Sequence, residues 1–376
     1  MTTVAVCGGG IGGLATAIAL HKFGLDVTVY EQTRQFARVG ADINLTPNAV
    51  RALDGLGVGA EIRESAARPQ FRLSRTWDTG VETSRLPMGD TAEQQYGAPQ
   101  LTMHRGDLMT ALENRLPSGV VEMGRRVSGV GDGRIEFTDG STVSADVIVG
   151  ADGIHSAVRT ALLGRDQPTF TGVVAFRAVV PTERVGELPN LDCFTKWWGP
   201  DPSTQIVTFP LNQGKDIFVF ATCGQEEWTE ESWTTPGSVT ELRDLYRGFH
   251  PDARALLDAC DDVLKSALYV RDPLESWTDG TSVLLGDAAH PMMPFMAQGA
   301  GMAIEDAVVL ARCLGMFDEP TAALQTYQHT RLQRTSRIQR GSRSNEWLKV
   351  AGNGDWVYEY DAWRVPLESA TVRAGA

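Results

Sequence analysis

Thr3-Val4-Ala5-Val6-Cys7-Gly8-Gly9-Gly10-Ile11-Gly12-Gly13 stands near the start of this chain of 376 residues, and its reading decides the fold. A short apolar run that ends in glycines predicts a parallel strand buried on both faces. Leu14 to Phe23 carries helix-forming residues and stops at Gly24, which suits a helix end. Asp26 to Glu31 reads as a second strand. Strand, helix and strand within about 30 residues is the size of a dinucleotide-binding unit. In Gly8-x-Gly10-x-x-Gly13 the first glycine makes the turn, the second lets the backbone approach a pyrophosphate, and the third lets helix and strand pack closely. Ile11 and Gly12 begin the helix, whose free N–H groups and positive dipole end face the phosphates. Glu31, with Gln32 after it, is placed to hold an adenosine ribose, and an acid there disfavours a 2′-phosphate.

Charge and composition narrow the partners. A formal net charge of -13 leaves no basic face for nucleic acid or an anionic membrane. No apolar run approaches the length that spans a bilayer, and no targeting pattern precedes Val4, so a cytoplasmic protein is expected. The five cysteines (Cys7, Cys193, Cys223, Cys260, Cys313) are scattered without metal-ligand spacing. Reduced, buried thiols are expected, and no metal.

Asn48–Leu56 and Asp107–Leu116 read as helices, and 120–145 as short strands broken by Gly-Asp-Gly and Asp-Gly turns. Asp146–Gly150 and Ser282–Gly286 read as further buried strands returning to the first sheet. From 172 to 223 period-two runs predict an antiparallel sheet with two distinct faces: Val173–Val180, Cys193–Trp198, Gln205–Phe209 and Asp216–Cys223. Val239–Arg247 and Asp252–Ala259 read as helices, as does Gln298–Leu314. Thr321 to about Val350 suits one long charged helix, and the Trp- and Tyr-rich stretch after it is expected to pack down before a loose end. The fold class is α/β: a Rossmann-like dinucleotide domain (1–70, 100–170, 270–320), an interleaved antiparallel-sheet domain (71–99, 171–269) and a C-terminal helical segment (321–376).

Two further motifs complete the pattern. Ala151-Asp152-Gly153-Ile154-His155-Ser156 follows one core strand, and Gly286-Asp287-Ala288-Ala289-His290-Pro291 follows another. A carboxylate closing an apolar strand, as Asp287 does, needs partners, which sugar-alcohol hydroxyls or a cap would provide. Asp152 reads either as a turn or cap residue or as a cofactor contact. Gln298-Gly299-Ala300-Gly301-Met302 opens a helix whose N-terminus can stabilise a negative charge.

In these motifs the chain resembles the single-component FAD-dependent aromatic hydroxylases, which include the salicylate, p-hydroxybenzoate and 6-hydroxynicotinate monooxygenases. The resemblance implies that Asp287 holds the ribityl chain of FAD. It also implies that Arg105, in His104-Arg105-Gly106-Asp107-Leu108, contacts the cofactor, as does Val127. NADH or NADPH would reduce the flavin, O2 would form a flavin hydroperoxide, and an electron-rich ring would take the hydroxyl, with decarboxylation where a carboxylate occupies the attacked carbon. Closest in texture is the 6-hydroxynicotinate group, through Tyr96-Gly97, Lys196-Trp197-Trp198 and Asp355-Trp356-Val357-Tyr358.

Departures from that group are local. Its Gly-Ala-Gly-Ile-His, with a suspected basic histidine, is here Gly40-Ala41-Asp42-Ile43-Asn44. Asn44 can orient a substrate but cannot accept a proton near neutral pH. Asp42 either faces solvent or adds a carboxylate near the ring. Pro-Met-Lys-Pro-His becomes Pro291-Met292-Met293-Pro294-Phe295, which predicts a less polar pocket than 6-hydroxynicotinate requires. Candidate catalytic residues are Asn44, His290 (proton relay or loop support) and Pro291. Candidate substrate contacts are Arg177, Phe209, Phe218, Phe220, Met292, Met293 and Phe295. Phe218 and Phe220 are expected on one sheet face and Phe209 on another; Arg177 needs an anionic partner, either a substrate carboxylate or a structural one. A flavin dehydrogenase or reductase, a halogenase-like enzyme and a redox-sensing flavoprotein remain as alternatives. A small aromatic substrate and a monomer or homodimer are expected.

Overall fold

The computed structural model describes residues 2–36, 42–229, 235–343 and 354–368. Its first layer is a six-stranded sheet in the order Thr278–Asp279, Ser282–Leu284, Val147–Gly150, Thr3–Cys7, Asp26–Glu31, Val121–Met123. All pairings are parallel except that of the edge strand Thr278–Asp279. The Val, Ile and Leu runs read from the sequence are thus buried on both sides by helices, as parallel sheets require. Helix Ile11–Lys22 follows the first strand and stops at Gly24, whose φ is +75°. It packs in the main core against helix Gly299–Met316.

The second layer is a seven-stranded sheet: Leu264–Val270, Thr169–Pro181, Asp216–Gly224, Gln205–Leu211, Phe194–Trp198, Phe71–Thr76, Glu82–Pro87. Four of these strands were expected; Leu264–Val270, Phe71–Thr76 and Glu82–Pro87 extend the sheet at both edges. Phe71–Thr76 joins Phe194–Trp198 in parallel, so the sheet is mixed. One face carries Phe176, Ile217, Val219 and Ala221 against helices Val239–Leu245 and Pro251–Asp258. The alternate residues face the other way, toward the first layer.

The long helix runs Pro320–Arg343, and its expected continuation to Val350 lies outside the described residues, as does the expected loose end beyond 368. The segment before that end packs down as expected: Val357 and Ala362 are buried, and Trp363 Nε1 donates to the Ala52 carbonyl at 3.1 Å. Its ring lies so close to Gly55 that a β-carbon there would sit 2.0 Å from Nε1. All five cysteines are free and buried.

An ion network that the sequence did not reveal joins these parts. Glu305 and Asp306, both fully buried on helix Gly299–Met316, meet the fully buried Arg331 at 2.6 and 2.7 Å. Arg334 adds two bonds to Glu305, at 2.8 and 2.9 Å, and Asn48 Nδ2 a third at 2.7 Å. Asp306 Oδ2 accepts the Gly286 N–H at 3.1 Å and meets His290 Nε2 at 2.6 Å. Burial works against the Asp306 charge, but His290 and Arg331 hold its carboxyl down at about 2. A carboxyl depressed by folding stabilises the protein above the ordinary carboxylate range, and that contribution fades as pH falls toward 2. Arg331→Met, which strands two buried carboxylates, is expected to cost about 3–5 kcal/mol in chemical denaturation near neutral pH. Unchanged stability would remove the network from the folding account.

Candidate active site

Between the two layers lies a cavity of about 830 Å³. Arg105, Gly153 to His155, Asp287, Gly299 and Ala300 form one wall of it, and the glycine turn after the first strand stands outside that lining. Gly8 has φ +106°, and a β-carbon there would lie 2.5 Å from the Ala151 carbonyl oxygen. A β-carbon on Gly13 would come within 1.9 Å of the Gly8 carbonyl oxygen, so strand and helix approach as closely as backbone allows. Gly10, by contrast, faces open space within 4 Å. The first helical bond runs from Leu14 N–H to Gly10 at 2.9 Å, leaving the preceding N–H groups of Ile11, Gly12 and Gly13 for a phosphate. Glu31 is buried and accepts the Gly9 N–H at 2.7 Å and the Thr33 N–H at 2.8 Å, which aims its remaining lone pairs.

Arg105 lines the cavity at the start of helix Arg105–Asn114, which His104 caps by accepting the Gly106 N–H at 3.0 Å. Burial lowers the Arg105 pKa, and Asp287 and Glu31 both act on it in the opposite sense. One guanidinium therefore stands within electrostatic reach of both acids read as cofactor grips. Asp287 is exposed, but onto the cavity; the surrounding protein raises its carboxyl above the usual range while His290 and Arg105 pull it down. Gly299 and Ala300 line the same wall at the N-terminus of a helix in which the Met302 N–H donates to the Gln298 carbonyl at 2.8 Å. A glycine cradle, open N-terminal amides and a carboxylate facing the cavity are a donor and acceptor set that fits FAD.

Other expected contacts stand elsewhere. Met302 is fully buried, its side chain beside Arg331, and Gly301 is turned toward Ala49 and Gln298; neither lines the cavity. Only the first two residues of this helix face the ligand side. Asp152 accepts from Ser156 Oγ, from Ala157 N–H at 2.7 Å and from Val158 N–H at 3.2 Å, so it caps helix Ala157–Leu163. Gly153, Ile154 and His155 of that loop line the cavity in its stead. Gln32 is exposed, and Val127 opens the three-stranded sheet Val127–Gly131, Arg134–Phe137, Thr142–Ser144 and packs on the main core.

The opposite wall is the cavity face of the seven-stranded sheet. Arg177 pairs with Phe220, Phe220 with Val207, and Val207 with Lys196, so these four side chains form one row across four strands. Phe209 pairs with Phe218 in the neighbouring row. The expectation that Phe209 faces away from Phe218 and Phe220 is therefore wrong: directly opposed residues share a face, and the register decides it. Phe194 stacks on Phe209 (5.1 Å between centroids), and Phe209 lies 5.0 Å from Phe218. Arg72 sits over Phe194 at 4.6 Å, and Lys196 Nζ lies 3.5 Å from the Trp198 ring centroid. Lys196, Arg72 and Phe194 were missed because a cation inside a strand has no signature until its neighbours are known. Arg177 donates to Ser266 Oγ, and Asp42, which lines the same cavity, acts on its charge. Burial lowers Arg177 to about 10, with Asp42 opposing.

Pro291, Met292, Met293, Pro294 and Phe295 all line the cavity. Asn44 lines it from strand Ile43–Leu45, its Oδ1 accepting from Gln100 Nε2 at 2.7 Å. Gly40 and Ala41 lie outside the described residues; Asp42 lines the cavity and does not face bulk solvent. For His290 the structure favours loop support over the proton relay. The residue is 1% exposed, bonded to Asp306 and absent from the cavity wall, because the ion network draws the ring away from the ligand side. It supports the Asp287 loop and has no route to a substrate.

The sequence matches the FAD binding domain family over residues 1–342. Over 372 residues it is 40% identical to the 6-hydroxynicotinate 3-monooxygenase of Bordetella bronchiseptica, covering 97% of this chain and 96% of that one. It is 37% identical over 345 residues to the 3-amino-4-hydroxybenzoate 2-monooxygenase PtmB3 of Streptomyces platensis, covering 90% and 86%. A salicylate hydroxylase solved with its substrate superposes with a TM-score of 0.83 at 29% identity, covering 96% of both chains. The chain belongs to the FAD binding domain family, among its aromatic-ring monooxygenases, and FAD is its cofactor. Among the described residues no helix is long and apolar enough to cross a membrane.

Asp287→Ala is expected to lower FAD affinity at least tenfold, read as loss of the flavin spectrum on gel filtration, with the fold retained by circular dichroism. Full retention of FAD would take Asp287 out of the cofactor site.

Proposed function

We propose that this protein hydroxylates a phenolic or hydroxypyridine ring that carries a carboxylate, using NADH or NADPH and O2. The observation that supports this most directly is the pairing of walls: Arg105, Asp287, Gly299 and Ala300 on one side, and stacked phenylalanines with Lys196 and Arg72 on the other. Phe209, Phe218 and Phe220 offer a flat ring both faces and edges. Lys196 is buried to 4% exposure, and a desolvated ammonium there favours a carboxylate. Met292, Met293 and Phe295 supply apolar contact and exclude water.

Bound FAD supplies the electron relay from the nicotinamide and the activation of dioxygen. One oxygen atom goes to a ring carbon and the other leaves as water. The chain's residues hold the ring in line with that chemistry: the sheet orients it, Asn44 directs a hydrogen bond, and Pro291 to Phe295 keep the space dry. The bonding of Glu31 favours a nucleotide without a 2′-phosphate in the cradle.

The test is a screen of hydroxybenzoates and hydroxypyridine carboxylates for stimulated NAD(P)H oxidation by the yellow protein, with product masses. A product heavier by one oxygen supports plain hydroxylation; loss of carbon dioxide assigns attack at the carboxylated carbon. Nicotinamide oxidation that leaves every ring unchanged would turn the reading toward a dehydrogenase or reductase. Within the screen, Lys196→Met is expected to raise KM for the accepted acid about tenfold or more, with a smaller change in kcat, since a charge-assisted bond contributes about 1.5–3 kcal/mol.

A further inference from the structure

We propose that Asp42 is the catalytic proton acceptor for the hydroxyl group of the substrate ring, a deepening of the site reading just given. Asn44 carries an amide, which cannot take a proton near neutral pH. Asp42 stands directly before strand Ile43–Leu45, two positions from Asn44. Both line the cavity. The amide of Asn44 is fixed by Gln100 and serves to orient; the carboxylate beside it is free of that limit.

Charge distribution sets the direction of the substrate. The Arg177 to Lys196 row crosses four strands, about 14 Å from end to end at the usual strand spacing. The Lys196 and Arg72 end is cationic and suits a carboxylate. The Arg177 end carries both signs, because Asp42 and Arg177 both line the cavity and act on each other's charge. A ring whose carboxylate lies toward Lys196 presents its far hydroxyl to Asp42. The other acid of the cavity wall, Asp287, belongs to the cofactor side with Arg105. Also facing the cavity are His155 and Tyr269, from the loop after Val147–Gly150 and from strand Leu264–Val270.

The step is a proton transfer. The O–H bond of the hydroxyl breaks, its proton bonds to an Asp42 oxygen, and the electron pair stays on the ring oxygen. That pair raises electron density at the ortho and para carbons, and Arg177 stabilises the negative charge. No electrons enter or leave the ring in this step. Burial lifts the Asp42 carboxyl to about 6 with Arg177 pulling it down, so it is ionised at neutral pH and accepts a proton more readily than an ordinary aspartate.

The experiment uses the FAD-loaded protein and 4-hydroxy-3-nitrobenzoate, whose phenol and phenolate forms differ in colour. Bound to the wild type, its phenolate band is expected to follow pH in two steps, because the hydroxyl and Asp42 exchange protons. Asp42→Asn is expected to leave one step. In turnover with an accepted acid, wild-type kcat falls on the acid side of about pH 6. Asp42→Asn removes that limb and lowers kcat about 100-fold, with recovery at high pH, where the substrate ionises unaided. Asp42→Glu restores part of the rate. A single step in the wild type, or an acid limb that survives in Asp42→Asn, overturns the proposal. So does an Asp42→Asn effect confined to KM, which marks Asp42 as a partner for Arg177 alone. These failures leave ring binding beside FAD intact. A protein that takes up FAD but binds neither the nitro acid nor any other hydroxylated ring acid overturns the site reading, and Asp42's role with it.

Discussion

Arg331 carries a full positive charge into a place without water, and the fold is arranged around its neutralisation. Burying one such group alone would cost several kcal/mol. Here Glu305 and Asp306 meet it from the helix that begins at the flavin wall, while Arg334 and Asn48 complete the carboxylates. Asp306 then spends its second oxygen on Gly286 N–H and His290, the two ends of the turn that presents Asp287. The orientation of a cofactor-facing carboxylate is thus set by a salt bridge to a helix some 25 residues further along the chain. Polar groups so fully engaged specify one arrangement, since any slip strands a charge.

This constraint also explains a division of labour in the Gly286 to Phe295 segment. Gly286 and His290 face the ion network, while Asp287 and the last five residues line the cavity. Pro291 accepts a bond from Gln339 Nε2 at 3.0 Å through its carbonyl, so the long helix holds both halves. The apolar end of the pocket has a rigid backing, as a site that must hold a ring within fractions of an ångström requires.

Much of this was legible from residues alone. Thr3–Cys7, Asp26–Glu31 and Val147–Gly150 announce themselves because strands buried on both faces must be apolar throughout, and Gly8 and Gly13 because no other residue fits the geometry. Register was not legible. Whether Phe209 shares a face with Phe218 depends on which residues oppose each other across two strands, which periodicity within one strand does not encode. Arg331 was hidden for a related reason: on a helix rich in charge, nothing local separates an arginine in water from one sealed in the core. The same ambiguity made His290 resemble a relay, when its ring is held by Asp306.

Strand Asp216–Gly224 divides its side chains between two tasks, with Ile217, Val219 and Ala221 beneath the helices and Phe218 and Phe220 before the ligand. Because the pleat separates them, drift at every second position can reshape what the enzyme accepts without loosening the layer that carries it. A lineage built on this sheet can explore new rings by changing the cavity-facing positions while the helix-facing ones stay fixed, which makes the scaffold itself a source of chemical diversification.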